Sequence, residues 1–511
     1  MAIPVPPATD GATPVVGAFY DRFPYPGDPL QDGPPPGYNW RWCHRAAHNH
    51  CTGTTPAAGK SLRILDAGCG TGVSTDYLAH LNPGAEILAV DISGGALEVA
   101  RERLRRSGGL AQVRFEQRSL LDLAGEGPFE HINSVGVLHH LENPLNGLKA
   151  LAPLLAPGGL LHLFLYADGG RWEIHRIQRS LALLGVKSDG DGLRLGRQLF
   201  QNLPAENRLK QRHEQRWLID TSADANFADM YLHPQETSYN LQGLWRFVEG
   251  AELTFLGFSN PDQWDPKRLL EGELLERAKA LPQEQQWLLM EALDPDISHF
   301  EFFLSNKQLP RQTWNNNELL WQATLERNPC LWGWPGATLL DQELRPLNLS
   351  PLQLTFMECL AASSAMPTRL SNLNLGWEAS QISEIARQLW GSGVLLLGLE
   401  GLSALAVLVA GWRFNGPTAL SVAIGSMGGL VYLFLLSRSV QKLGGTNKQV
   451  GKVQLLVPVT LVLLSTRWPL LQLLPALIGF LIYKPAVIIS TALDLWIVKP
   501  AVNSPSPSSN A

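Results

Sequence analysis

Leu62–Gly72 reads LRILDAGCGTG, an apolar strand that closes on an acid and runs directly into three glycines at alternate positions. Glycine accepts positive φ and carries no Cβ, so Gly68, Gly70 and Gly72 predict a tight turn in which backbone amides approach a ligand before a helix begins. Asp91 ends the next apolar run, EILAVDI, where a carboxylate can accept both hydroxyls of a ribose. Further outward, VRFEQRS, FEHINSVGVL and LLHLFLY supply three more short apolar runs. Between them ALEVARERLRR, Ala96–Arg106, is amphipathic, with Leu97, Ala100 and Leu104 on its apolar face. This alternation predicts an α/β fold, a doubly wound Rossmann-like parallel sheet covered by helices over residues 61–260, with ELTFLGFS at Glu252–Ser259 as a last strand.

The flanks differ in composition. Residues 1–60 are rich in proline and aromatics and predict an irregular arm or lid. Residues 261–390 are polar and read as mainly helical, with LSPLQLTFMECL and SQISEIARQLW as amphipathic pieces. The second piece precedes GVLLL, and a helix followed by a short apolar strand suggests a winged-helix-like appendage. Residues 501–511 read as a disordered end.

A chain of 511 residues is long enough for several domains. Five cysteines are too few for a disulfide-built scaffold, and the N-terminus has neither the basic nor the apolar region of a cleaved secretory signal. Charged residues make up 17%, below the roughly 25% usual in soluble domains. Residues 391–511 hold eight basic and two acidic side chains, so of the net −5 the first 390 residues carry −11. An acidic body without clustered Lys and Arg argues against DNA as a partner. Cys43, His44, His48, His50 and Cys51 gather possible metal donors, but their spacing fits no standard zinc pattern and no metal is expected.

From Leu62 to Leu165 the sequence resembles class I S-adenosylmethionine-dependent methyltransferases. DAGCGTG matches that family's first motif, SVGVLHHLENP from Ser134 its fourth, and LLAPGGLLHLFLY its final turn and fifth strand. The resemblance implies S-adenosylmethionine as cofactor. Gly68, Cys69 and Gly70 would face its methionine part, with Asp66 steadying the loop; Asp91 would hold the ribose and Ile92 would lie against adenine. Ser119 stands where the family commonly has an acid near the adenine amino group, leaving the amide of Leu120 for that contact. The implied chemistry is in-line methyl transfer, to which the protein contributes chiefly orientation. No catalytic base is assigned: His139, His140, Tyr20 and Tyr25 fall near the expected methyl site, and His233 or Tyr239 in DMYLHPQETSYN near the acceptor. The fourth motif lacks the Asn/Asp-Pro-Pro-Tyr arrangement, which disfavours DNA amines and glutamine. The acceptor is left open among small molecules, lipids and proteins.

Residues 391–500 predict a four-span membrane domain. Val394–Trp412 carries a single charge, Glu400, and Thr418–Leu436 none; Val453–Ser465 and Leu470–Ile489 are shorter or interrupted by proline and lysine. The loop 437–452 carries four basic residues, so positive-inside bias puts the body in the cytoplasm of a multi-pass protein. Gly425 and Gly429 permit close helix contact. GSMGGLVYLFLLSRSVQKLG and STRWPLLQLLPALIGFLIYKPAVII resemble ATP synthase protein I over Trp412–Ile489. That resemblance implies help in assembling the membrane rotor ring and the ATP synthase membrane sector as a partner. Met366 lies close enough to the tail to start an independent protein, as in a gene fusion. Two functions therefore compete: a membrane-tethered methyltransferase, and an assembly factor for the F-type ATP synthase carrying a methyltransferase-like passenger.

Overall fold

The computed structural model describes residues 14–56, 61–109, 111–363 and 368–399, and beyond these Leu477 alone. Five apolar runs form parallel strands: β1 (Arg63–Ala67), β2 (Glu86–Asp91), β3 (Gln112–Gln117), β4 (Phe129–Val135) and β5 (Leu155–Tyr166). With β6 (Thr254–Phe258) and β7 (His299–Ser305) they make a seven-stranded sheet of order β3-β2-β1-β4-β5-β7-β6. The order reverses between β1 and β4, and ligands bind in the crevice that such a reversal opens at the strands' C-terminal ends.

The sheet departs from expectation at β7. HFEFFLS lies in the stretch read as helical, yet it runs antiparallel between β5 and β6, so the sheet is mixed and reaches past residue 260. Phe300, Phe302, Phe303 and Leu304 are all buried. A strand covered on both faces loses the alternation that marks a half-buried one, which is why periodicity missed it.

The proline-rich arm also holds more regular structure than expected, namely α1 (Pro14–Arg22) and α2 (His44–Thr52). Six of its prolines cluster between Pro24 and Pro36, in the connection between the two helices, while Pro14 opens α1. Val73–Leu81 (α3), Gly94–Ser107 (α4) and Pro144–Leu151 (α5) join the strands. Ser93 caps α4 by accepting from the Ala96 amide, and left-handed Gly108 ends it. Helices Trp172–Leu183, Gly190–Asn202 and Asp224–Leu232 pack around a separate core of Ile174, Ile177, Phe200, Phe227 and Tyr231, which Phe19 and Phe23 of the arm join.

Past the large sheet lie β8 (Thr324–Arg327), the hairpin β9 (Thr338–Leu340) and β10 (Pro346–Asn348), β11 (Thr368–Arg369) and β12 (Leu395–Gly398). They accompany helices Pro351–Ala362 and Ala379–Gly391 in the stretch expected to be winged-helix-like, and β11, β8 and β12 form an antiparallel sheet. β12 corrects the first apolar segment. Val394–Trp412 does not open as a membrane span, because Leu395–Gly398 pairs with β8 and Thr55 bridges to Gly398. A Cβ at Gly398 would lie 2.3 Å from Thr55 Oγ1, so the strand edge is fitted to glycine. The first compact unit accordingly runs to Gly398, eight residues past the expected boundary at 390. Among the described residues no helix is long and apolar enough to cross a membrane. The remaining expected spans, apart from Leu477, lie outside the described residues, as do Glu400, Gly425, Gly429 and Met366.

Leu395, Leu396 and Leu397 are at most 2% exposed, and burying a leucine is worth about 1.5–3 kcal/mol. A chain ending at Leu399 is therefore expected to keep the body's melting temperature, whereas one ending at Trp390 should melt well below it. Equal melting of the two in calorimetry would contradict this placement of β12.

Candidate functional site

β1 delivers Asp66 to the floor of the glycine turn. Its Oδ2 accepts from Ser74 Oγ at 2.7 Å and Thr75 Oγ1 at 2.6 Å in the first turn of α3, and its Oδ1 accepts from Asn133 Nδ2 on β4 at 2.8 Å. One carboxyl thus joins the ends of β1 and β4 to the start of α3. Burial pushes its pKa up, against those three hydrogen bonds.

The turn is closed by β2. The Gly68 and Cys69 amides both donate to Val90 O, at 2.8 and 2.9 Å, and the Gly70 amide donates to Asp91 Oδ2 at 2.8 Å. These amides are consumed within the fold, which corrects the expectation that they approach a ligand. The glycines serve close packing instead. Gly68 has φ +82°, and a Cβ there would sit 2.4 Å from Val137 Cγ2; at Gly70, with φ +52°, it would sit 2.3 Å from the Tyr25 carbonyl. That carbonyl accepts from the Thr71 amide, and Arg103 of α4 reaches the carbonyls of Thr71, Asp28 and Pro29. The arm is thereby fixed across the turn.

A cavity of about 570 Å³ opens over these strand ends. Its first lobe is lined by Gly68, Cys69, Gly70, Asp91, Ile92, Ser119 and Leu120, so seven of the eight residues expected at a cofactor meet there, while Asp66 lies beneath them. Asp91 uses one lone pair of each oxygen, for the Gly70 amide and for the Ser93 amide at 2.9 Å. About two lone-pair sites of its four remain, which suits a ribose diol. Burial raises its pKa. Ser119 Oγ caps a short 3₁₀ turn by accepting from the Leu121 amide, and the Leu120 amide has no acceptor among the described residues.

The second lobe gathers Tyr20, Tyr25 and His140, named from sequence near the methyl site, with residues that sequence did not single out. It is walled by Tyr20 and Tyr25 from the arm, His140, Phe164 and Tyr166 from the ends of β4 and β5, and Asp229 and Met230 from the Asp224–Leu232 helix. Tyr20 Oη donates to Asp229 Oδ1 at 2.8 Å and Tyr166 Oη to Oδ2 at 3.4 Å. Burial raises the pKa of Asp229 and, with the Asp229 charge added, that of Tyr20. Arg171 stacks 3.4 Å from the Tyr166 ring centroid and forks onto Glu236 at 3.0 and 3.1 Å. Burial would raise the Glu236 carboxyl, but its His175 hydrogen bond and the Arg171 charge hold it at about 2.

The segment from Asp229 to Asn240 does border this lobe, though through other side chains than His233 or Tyr239. Its backbone straps the strand ends, Thr237 N–H donating to His139 O at 2.8 Å and Tyr239 N–H to Tyr166 O at 2.9 Å. The Tyr239 ring packs on Phe247 outside the cavity lining. His139 is fully buried and stacks on Tyr166 at 3.8 Å, whereas His140 lines the cavity. Of the cysteine and histidine cluster in the arm, Cys43 and Cys51 sit in a hydrophobic core, while His48 and His50 bond to Thr54 O and Phe258 O separately.

The family described as "Methyltransferase domain" matches residues 65–161. Uncharacterized protein syc1184_c of Synechococcus sp. strain PCC 6301 is 52% identical over 355 residues, covering 68% of this chain and 85% of that protein. ATP synthase protein I of Synechococcus sp. strain PCC 6716 is 34% identical over 110 residues, 22% of this chain and 90% of that protein. Among solved structures, PKMT2 from Rickettsia typhi in complex with AdoHcy aligns at TM-score 0.51 and 18% identity, covering 71% of this chain and 77% of that one, and shares the fold.

Gly68→Ala should destabilise the body by about 1–3 kcal/mol through left-handed strain and the Val137 overlap. In a double-mutant cycle by chemical denaturation, Val137→Ala should recover the overlap part alone. Strict additivity of the two substitutions would contradict the close approach.

Proposed function

The chain is a methyltransferase, of one family with syc1184_c of Synechococcus, and a stretch of it is related to ATP synthase protein I; on that premise we propose that it transfers a methyl group from S-adenosylmethionine to an acceptor seated between the arm and the ends of β4 and β5. The observation that carries this is the continuity of one cavity from Asp91 and Ile92, past the glycine turn, to Tyr20, His140 and Tyr166. Bound there, the cofactor supplies an electrophilic methyl on a sulfonium. Asp91 would hold the ribose hydroxyls, Ile92 and the Leu120 amide the adenine, and the surface over Gly68, Cys69 and Gly70 the methionine part. The chain's own contribution is to orient the acceptor and to exclude water, which Tyr20, Tyr25 and the strapped Asp229 segment do by roofing the second lobe.

The same proposal includes a membrane tether on the C-terminal side of Gly398, with the body in the cytoplasm. What supports it is the run of apolar segments after Thr418, the basic loop 437–452 and the relation to ATP synthase protein I. A second reading follows from that relation: the C-terminal residues act in assembling the ATP synthase membrane sector, with the body attached. The two readings are compatible in one chain.

Asp91→Ala is expected to weaken S-adenosylmethionine binding roughly 10- to 150-fold in calorimetric titration, the cost of about 1.5–3 kcal/mol for a lost charge-assisted contact. For the tether, protein ending at Leu399 should move from the membrane pellet to the supernatant while still binding S-adenosylmethionine. Recovery of that shortened form in the pellet alone would rule the tether out.

A further inference from the structure

The charges around the cavity do not balance. Four carboxylates line it, Asp28, Asp91, Asp220 and Asp229, and none of them belongs to an ion pair among the described residues. Both arginines of the lining are already taken, Arg118 by Glu116 and Glu126 at 3.2 and 2.7 Å, and Arg171 by Glu236 at 3.0 Å. Asp28 and Asp220 are exposed to water, whereas Asp229 is 3% exposed. Its oxygens are met by neutral hydroxyls, Tyr20 Oη at 2.8 Å and Tyr166 Oη at 3.4 Å, which leave about two of its four lone-pair sites. His140 and His233 have nitrogens within 4.8 Å of it, yet neither makes an ion pair with it, and burial presses His233 down to about 2. Burial raises the pKa of Asp229 itself, as expected of a carboxyl short of positive charge. A carboxylate taken out of water is stabilised when a bound cation supplies the missing partner.

The walls around that carboxyl suit a cation as well. Tyr20 and Tyr25 stand 6.3 Å apart at 35°, and Phe164 and Trp217 add two more aromatic side chains to the lining. Tyr25 lies among the acids: burial, and then the charges of Asp229, Asp28 and Asp220, push its phenol up. We propose that the methyl acceptor is an amine and that Asp229 is the residue that selects it, by holding the positive charge that methylation leaves on nitrogen. The assignment deepens the methyltransferase reading above and rests on it.

Charge conservation separates an amine from the other acceptors. The protonated amine first gives a hydrogen ion to water, a loss that the sulfonium beside it favours, since like charges disfavour the charged form. The nitrogen lone pair then bonds to the methyl carbon, and the carbon–sulfur bond breaks with its electron pair left on sulfur. One positive charge thus moves from sulfur to nitrogen, and Asp229 faces a cation before and after the step. A hydroxyl acceptor would release its hydrogen ion and end as a neutral ether, leaving the buried carboxylate without a counter-ion once sulfur is neutral. A carboxylate or phosphate acceptor would enter against the four acids of the lining, in a cleft whose walls focus their field.

The test uses the full-length protein and four probes: benzylamine, benzyl alcohol, phenylacetate and Nα-acetyl-lysinamide. Each is titrated by calorimetry at neutral pH into protein saturated with S-adenosylhomocysteine, where sulfur is neutral as it is after transfer. Benzylamine should bind about 10- to 150-fold more tightly than benzyl alcohol, the worth of a charge-assisted contact, and phenylacetate should not bind. Asp229→Asn should bind S-adenosylhomocysteine as the wild type does and no longer favour the amine. Asp220→Asn, at an exposed position, should weaken benzylamine alone by roughly 2- to 5-fold; it decides the matter if Asp229→Asn does not fold. With S-adenosylmethionine present, S-adenosylhomocysteine should be released on an amine and not on the alcohol. The KM values for benzylamine and Nα-acetyl-lysinamide then tell a free amine from one carried on a peptide. Equal binding of amine and alcohol overturns the proposal, as do release on the alcohol alone and no release on either amine. An amine preference that Asp229→Asn keeps while losing affinity for S-adenosylmethionine overturns it too, and assigns the acid to the sulfonium. Failure of the wild type to bind S-adenosylmethionine overturns the methyltransferase reading itself.

Discussion

A carboxyl taken out of water has to be satisfied, and Asp66 meets that demand in a way that organises the whole site. Its three donors come from α3 and β4, so the ends of β1 and β4 and the start of α3 can take up one arrangement only. The turn between β1 and α3 is then short enough that its amides must bond to β2, and Asp91 is pulled against it through the Gly70 amide. Removing Asn133, which donates to Oδ1, would leave that buried oxygen unpaired, a cost of about 1–3 kcal/mol. The crevice at the β1–β4 reversal is therefore a consequence of satisfying one buried acid.

The network continues beneath the sheet. Asn133, which donates to Asp66, accepts from Trp42 Nε1 at 2.9 Å and contacts His162 Nδ1 at 2.9 Å. His162 reaches Glu301 on β7 at 3.2 Å, and Glu301 pairs with Arg41 at 2.6 Å. Burial would raise the Glu301 carboxyl, but His162 and Arg41 hold it at about 2. Arg41 also pairs with Glu343, beyond the large sheet. A polar chain thus links the glycine turn to the arm and to the antiparallel strand β7, each link keeping another from being buried unpaired. The late arrival of β7 in the sequence, more than a hundred residues after its neighbour β5 and with β6 between them, is resolved by this pairing together with its buried phenylalanines.

Much of the cofactor side was legible because its signal is local. Gly68, Gly70 and Asp91 lie within one β-turn-α-β stretch, where spacing alone brings them together, and seven of the eight expected residues line one lobe. The acceptor side was legible only in part, through Tyr20, Tyr25 and His140, for it is assembled from separate parts of the chain. Asp229 and Glu236 are more than eighty residues from His140 and more than two hundred from Tyr25, a separation that no local period bridges. Sequence named His139, His140 and His233, and of these His140 lines the cavity. The tail shows the opposite failure. Val394–Leu397 is as apolar as a span, and hydropathy cannot distinguish a strand buried in a small sheet from a helix in a bilayer.

The most direct test of the central claim is a crystal structure of the full-length protein with S-adenosylhomocysteine. The account predicts the ribose diol on Asp91, adenine between Ile92 and the Leu120 amide, the amino-acid end over Gly68–Gly70, and sulfur facing the lobe that holds His140. A ligand bound elsewhere, or an adenine turned toward Tyr166 and Asp229, would contradict it.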